Sequence, residues 1–220
     1  MLLNMATDEH DGSLSHRLRA RRFAQFERAA ARLPRPLRLL DVGGTVDFWA
    51  QRGWADVEGV DITLLNVVEQ TSPYGNVRAV VGDGADLSRF ADGEFDLAFS
   101  NSVIEHVGDR ARQRMMAREV ARVARAYWVQ TPNYFFPMEP HFLVPAWHWL
   151  PEGVRVAVLR RRQVGWAGRT PDPREARAVV RSVQLLKASD LRQMFPGAQL
   201  LRERFAGMTK SWTAVRGLAV

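Results

Sequence analysis

The chain has 220 residues, 46% of them hydrophobic and 25% charged, which is enough for one well-buried α/β domain but short for two. It contains no cysteine, which excludes disulfide frameworks, thiolate metal clusters and cysteine nucleophiles together and fits a reducing, cytoplasmic setting. The formal charge of +7, carried almost wholly by arginine, allows an anionic partner, but arginine and alanine are over-used along the whole chain and base composition accounts for the larger share.

The opening stretch, MLLNMATDEHDG, lacks a basic-then-apolar signal pattern, and no apolar run approaches the roughly 18 residues of a spanning helix. The first element is an amphipathic helix over Ser13 to Leu33, in which Leu14, Leu18, Phe26, Ala30 and Leu33 recur at helical spacing before Pro34 and Pro36 end it. A short strand, LRLLDV, runs into a Gly-Gly turn, and a helix is expected around Val46 to Arg52. The second strand is read as Asp56 to Ile62, the third as Val77 to Asp83 and the fourth as Glu94 to Ser100. A helix over Asp109 to Arg125 places Met116, Val120 and Val123 on one face, and AYWVQT supplies a fifth strand. Strands alternating with helices and ending in polar or glycine turns predict a Rossmann-like α/β fold, its sheet mostly parallel, with ligands at the carboxyl ends.

The region from Pro132 to Pro173 breaks that rhythm. It holds seven of the eleven prolines, three of the seven tryptophans and two of the five histidines, and so reads as a lid inserted after the fifth strand. A helix from about Ala176 to Phe195 then leads to AQLLRERF and SWTAVRG, an antiparallel hairpin closing a seven-stranded sheet. The whole chain is read as a single domain.

The stretch LLDVGGTVDFW carries the first chemistry. A dinucleotide fingerprint needs G-x-G-x-x-G, and Gly43, Gly44, Thr45 does not meet it; no G-K-[ST] follows to make a phosphate loop. What remains is Asp41 before a Gly-Gly turn, suited to a ligand with an amine and a carboxylate rather than a pyrophosphate. Asp61, with Ile62 beside it, is read as the end of the second strand, where an acid can accept from both ribose hydroxyls. Asp83, beside Gly84 in VGDGADL, ends the third strand, where a carboxylate can accept from an adenine amine. Each acid alone is an ordinary turn residue; three at successive strand ends facing one sheet edge are harder to dismiss.

In its order and spacing of LLDVGG, VEGVDI, VVGDGADL, EFDLAFSNSVIEHV and YWVQTPN, the span from about Leu37 to Asn133 resembles the class I S-adenosylmethionine-dependent methyltransferases, in the type-11-like branch. The resemblance implies that S-adenosyl-L-methionine is the cofactor, with Gly43 and Gly44 at its methionine portion, Asp61 at the ribose, Asp83 at the adenine and Ser100 lining the methyl-transfer end. Thr45 departs from the commoner E/D-x-G-x-G form. In similar enzymes the Glu-His pair, here Glu105 and His106, lies at the mouth of the substrate pocket.

In the lid, Tyr134, Phe135, Phe136, Trp147 and Trp149 offer an apolar or sugar-stacking wall, and Glu139, His141 and His148 are proton acceptors. Glu105, Tyr134, Glu139 and Trp147 are therefore expected to bind substrate, and His106, His141 or His148 to act as base. A divalent metal on Glu105, His106, Glu139 and His141 ranks behind a histidine base, and no metal site is assigned. The expected reaction is methyl transfer to an O or N nucleophile of a small molecule, such as a sugar, glycan precursor or specialised metabolite. RNA as acceptor, a cofactor-binding protein without transfer activity, and contact of Pro145 to Arg162 with a membrane surface are the rival readings.

Overall fold

The computed structural model describes residues 14–138 and 141–220. Ser13 and Glu139 lie outside the described residues.

Seven strands, β1 (Leu37–Val42), β2 (Val60–Asn66), β3 (Val77–Val81), β4 (Phe95–Asn101), β5 (Ala124–Pro132), β6 (Gln199–Phe205) and β7 (Met208–Arg216), form one sheet. Their order is β3-β2-β1-β4-β5-β7-β6. The first five run parallel, and β7 pairs antiparallel with both β5 and β6, as the hairpin signal predicts. Strand order reverses between β1 and β4, so the loops leaving their carboxyl ends part there and open a crevice.

Alternation along β1 assigns the two faces. Leu37 and Leu39 join Phe23, Phe26 and Ala30 of α1 (Leu14–Ala30) and the indoles of Trp49 and Trp54 in one core cluster. Leu40 and Val42 join Met116, Ala117, Val120 and Val123 of α3 (Arg110–Val123) and Leu191 of α6 (Ala188–Met194) in the other. The spacing of those α3 residues is one helical face, and Asp109 caps the helix by accepting from the amides of Ala111 and Arg112.

The second strand differs from its sequence reading. It starts at Val60 and continues to Asn66, because Ile62, Thr63, Leu64 and Leu65 are all buried, as in any interior parallel strand covered on both sides. Asp61 therefore sits near the amino end, exposed and opposite Arg38, rather than at the carboxyl end.

The proline-rich insertion is also more ordered than a loop. It contains α4 (Glu152–Arg161) and runs into α5 (Pro173–Arg181), and Phe142, Trp147, Val156, Leu159, Ala176 and Val180 give it a core of its own. Its prolines start helices: Pro151 is the N-cap of α4, and Pro173 occupies the first turn of α5. The single helix expected over Ala176 to Phe195 is two, α5 and α6. The intervening segment lies extended, its Gln184 amide donating to the Glu105 carbonyl (2.8 Å) and its Leu186 carbonyl accepting from the Tyr134 amide (3.0 Å).

Candidate functional site

The site is built at the carboxyl end of β1. Gly43 has φ +85°, and a Cβ there would lie 2.4 Å from Cγ2 of Val103. A Cβ on Gly44 would lie 2.0 Å from Oδ2 of Asp41. The turn's own packing therefore demands both glycines. No such demand falls on the third position: Thr45 caps the short helix α2 (Val46–Ala50), its Oγ1 accepting from the Phe48 amide at 3.3 Å. Beneath the turn, Asp41 is 2% exposed and accepts from Nε1 of Trp49 at 2.8 Å. Burial pushes its carboxyl up to about 7, against the opposing pull of the Trp49 bond and of the Arg52 charge.

At the carboxyl end of β2 stands Asn66, not an acid. Its Nδ2 donates to the Gly44 carbonyl at 2.9 Å, and Gln70 donates to the same oxygen at 3.0 Å while accepting from the Val46 amide. Two amide side chains thus stitch the β2 end to the glycine turn. Around them Val67, Val68 and Val81 are exposed, an apolar shelf at the ends of β2 and β3. Asp61 lies at the far edge of the sheet and Ile62 is a core residue 1% exposed, so the structure removes both from this edge.

Asp83 does leave the third strand on the expected edge, two residues past β3, with Gly84 buried beside it. One carboxylate oxygen accepts from the Ala85 amide and the other from Arg112, which also donates to the Val107 carbonyl. Ser100 is wholly buried, and its hydroxyl donates to the Val42 carbonyl at 3.0 Å, tying β4 to β1. It braces the floor of the site from within the sheet.

Past β4, on the α1 side, Arg19, Arg22, Phe23, Phe48, Arg52 and Asn101 line a cleft. Arg22 donates to Asn101 and is paired with Glu203, while the Arg52 guanidinium lies 3.7 Å over the Phe48 ring. Burial pulls the Arg52 pKa below its ordinary value, and the charges of Arg19 and Arg22 add to that. Lys210 is lowered likewise, first by burial and then by the same two arginines, with Glu203 opposing. Four cations therefore converge on one edge with Glu203 close by as a counter-charge.

On the α3 side, Glu105 and His106 form a single 3-10 turn, Ile104–His106. Glu105 is wholly buried; one carboxylate oxygen accepts from Thr131 at 2.9 Å, and the other, Oε1, has no hydrogen-bond partner among the described residues. His106 turns Nδ1 toward the Ser182 carbonyl (3.3 Å) and Nε2 toward Nε2 of His141 (2.9 Å). The lid thus delivers His141 to the Glu-His pair.

The remaining predicted lid residues go elsewhere. Nε2 of His148 faces the Tyr134 carbonyl at 2.7 Å, so its proton is committed there, and His148 is not part of the Glu105–His106–His141 group. Trp147, 2% exposed, packs on Phe142 inside the lid's core and presents no wall to a substrate. Tyr134 is half-buried with Lys187 5.1 Å over its ring. Glu139 lies outside the described residues.

Residues 40–126 match the family model described as a methyltransferase domain. Over that stretch the chain is similar to a class I, S-adenosylmethionine-dependent methyltransferase domain. Uncharacterized proteins from two strains of Mycobacterium tuberculosis are 30% identical to it over 203 residues, covering 86% of this chain. The chain spans 65% of the length of those relatives. Among solved structures, the N-terminal domain of EvdMO1, crystallised in the presence of SAH and D-fucose, aligns at TM-score 0.52 with 17% identity, over 89% of this chain and 80% of that one. The [4+2]-cyclase SpnF aligns at TM-score 0.51 with 19% identity, over 88% and 62%. At these identities the likeness is one of fold, and the cyclase shows that the methyltransferase fold also serves other chemistry. Among the described residues no helix is long and apolar enough to cross a membrane.

Sequence reading missed Asn66, Gln70, Arg112 and the arginine cluster. Asn66 had a usable signal: the apolar run ITLL continues past Asp61, so the strand's polar end is the asparagine. The cations had none, since Arg19, Arg22, Arg52 and Lys210 meet only through the fold.

Proposed function

We propose that this chain is a methyltransferase that moves a methyl group from S-adenosylmethionine to an O or N nucleophile of a small anionic acceptor, of which a sugar phosphate or nucleotide sugar is the simplest class. The observation that carries the acceptor half is the convergence of Arg19, Arg22 and Arg52 on the cleft beside Asn101, with Lys210 near enough to feel the charges of Arg19 and Arg22. Mutually repelling, partly buried cations are costly, and an anion in the cleft offsets that cost.

The residues present fit the donor. The Gly43–Gly44 turn exposes backbone where no side chain fits, the Asp41 carboxyl has a pKa near neutrality and ionises readily beside a cationic amine, and Val67, Val68 and Val81 give a base an apolar face. Asn66 and Gln70 hold the turn where the ribose acid was expected, while Asp83 and Gly84 stand at the β3 end. When bound, the donor supplies an electrophilic methyl carbon. The chain's part is to hold the acceptor in line beside that carbon, by charge on the α1 side and by the lid on the α3 side, with water displaced; such positioning supplies most of the rate expected of this reaction.

Calorimetric titration with S-adenosylmethionine and its demethylated product, followed by a methyl-transfer screen over nucleotide sugars, sugar phosphates, neutral sugars, phenols and RNA, tests this. Donor binding with turnover on anionic small molecules is the expected result. Failure to bind the donor sinks the donor half; turnover confined to RNA or neutral acceptors sinks the other.

A further inference from the structure

We propose that Glu105, His106 and His141 form a site for a single divalent transition-metal ion, Zn2+ being the ion this donor set suits best. A carboxylate oxygen of Glu105 and a ring nitrogen of each histidine lie within 4.8 Å of one another. The two histidines come from different parts of the chain, one from the turn after β4 and the other from the lid, so the site clips the lid to the sheet.

Three features separate this cluster from an ordinary polar contact. The first is the pair of Nε2 atoms, 2.9 Å apart with the rings near perpendicular at 84°. Two nitrogens bound at about 2.0 to 2.1 Å to one tetrahedral ion stand about 3.3 Å apart, so admitting the ion asks the rings to part by a few tenths of an ångström. The second is Oε1 of Glu105, a wholly buried carboxylate oxygen with no partner among the described residues. A buried carboxylate oxygen without a partner is costly, and a cation beside it removes the cost.

The third is the outer shell. A ring nitrogen facing a carbonyl carries its proton on that side, so the Ser182 carbonyl fixes the His106 proton on Nδ1 and leaves the Nε2 lone pair pointing at the cluster. Thr131 orients the Glu105 carboxylate in the same way, and Gln184 anchors the turn's backbone through the Glu105 carbonyl. Among the described residues, two imidazoles and one carboxylate supply donors of the kinds a zinc site uses. Borderline nitrogen donors disfavour Mg2+ and Ca2+, which take oxygen shells. An ion so placed stands at the carboxyl end of β4 and can lower the pKa of an acceptor hydroxyl bound to it, the role a free histidine base was expected to fill.

The site rests on these side chains and not on the methyl-donor reading, and the experiment keeps the two apart. The untagged 220-residue chain, stripped with a chelator and dialysed, is titrated with Co2+ while its visible absorption is followed, then challenged with Zn2+ and, separately, Mg2+. Expected are one Co2+ per chain with the intense visible bands of a four-coordinate site, displacement by Zn2+ and no displacement by Mg2+. His106→Ala, His141→Ala and Glu105→Gln should each weaken binding by more than about tenfold, and Thr131→Val by about tenfold. Binding of S-adenosylhomocysteine by the same preparations reports the donor site and confirms that each variant is folded. No Co2+ or Zn2+ binding by the wild-type chain, or binding that survives His106→Ala and His141→Ala together, overturns the proposal and leaves a hydrogen-bonded histidine pair. Either outcome is read on protein whose donor binding is known separately, and the wild-type titration decides even where a variant fails to fold.

Discussion

Replacing Asp41 by Asn should make the chain more stable and a poorer receptor for its donor. The carboxyl is held near pKa 7 by burial, against an ordinary value of 3.8. Between those values the folded chain keeps a proton that the unfolded chain has released, so stability is highest below about pH 4, falls as pH rises through the interval and is level above about pH 7. The full difference corresponds to about 4 kcal/mol, at about 1.4 kcal/mol per pKa unit. Asparagine resembles the protonated acid: its oxygen can still accept from Trp49, 2.8 Å away in the parent, and it carries no charge to desolvate. Urea unfolding of both proteins should therefore show Asp41→Asn more stable by about 4 kcal/mol at pH 8 and by about 2 kcal/mol at pH 5.5. Donor affinity should move the opposite way, falling about tenfold or more at pH 8, since the variant cannot ionise beside a cation. A stability difference that is the same at both pH values would refute the burial argument. Undiminished donor affinity would show that Asp41 serves the turn alone.

Three further outcomes follow from the geometry. Asn66→Ala should weaken donor binding about tenfold by freeing the Gly44 carbonyl, while Asp61→Ala at the far end of β2 should change it by less than about twofold; calorimetry giving the reverse order would restore the acid to the site. Arg22→Ala and Arg52→Ala should each raise KM for an anionic acceptor about tenfold with little change in donor affinity, and the effect should shrink with added salt; equal loss on a neutral acceptor would contradict the charge argument. Trp147→Ala should cost about 3 to 5 kcal/mol of lid-core packing and expose the lid to proteolysis, abolishing turnover with donor binding kept within a few-fold; joint loss of both in a folded sheet would contradict the division.

The sequence by itself determined the strands of the sheet and their order along the chain. Alternating apolar runs are local signals, so the five parallel strands, α3 and the closing hairpin were legible, as was the Gly-Gly turn at 43 and 44. The β2 end was misjudged only because an acid was taken as a stop while the buried run continued to Asn66. The lid's helices were hidden because proline breaks a helix interior but opens a helix start, and local sequence does not say which is meant.

Only the tertiary structure decided which side chains work together. His148 and Trp147 look as well placed as His141 in the sequence, yet Trp147 packs into the lid's own core, His148 faces the Tyr134 carbonyl, and His141 meets His106. Ser100 reads as a lining residue until the parallel pairing of β4 on β1 places its hydroxyl under the Val42 carbonyl. The cation cluster joins α1, the end of α2 and β7, segments up to 191 positions apart from Arg19 to Lys210, and the charge of each arginine carries no mark of its neighbours. Partner choice at such distances is set by packing of the faces that carry the residues, and a pattern confined to one element holds no record of it.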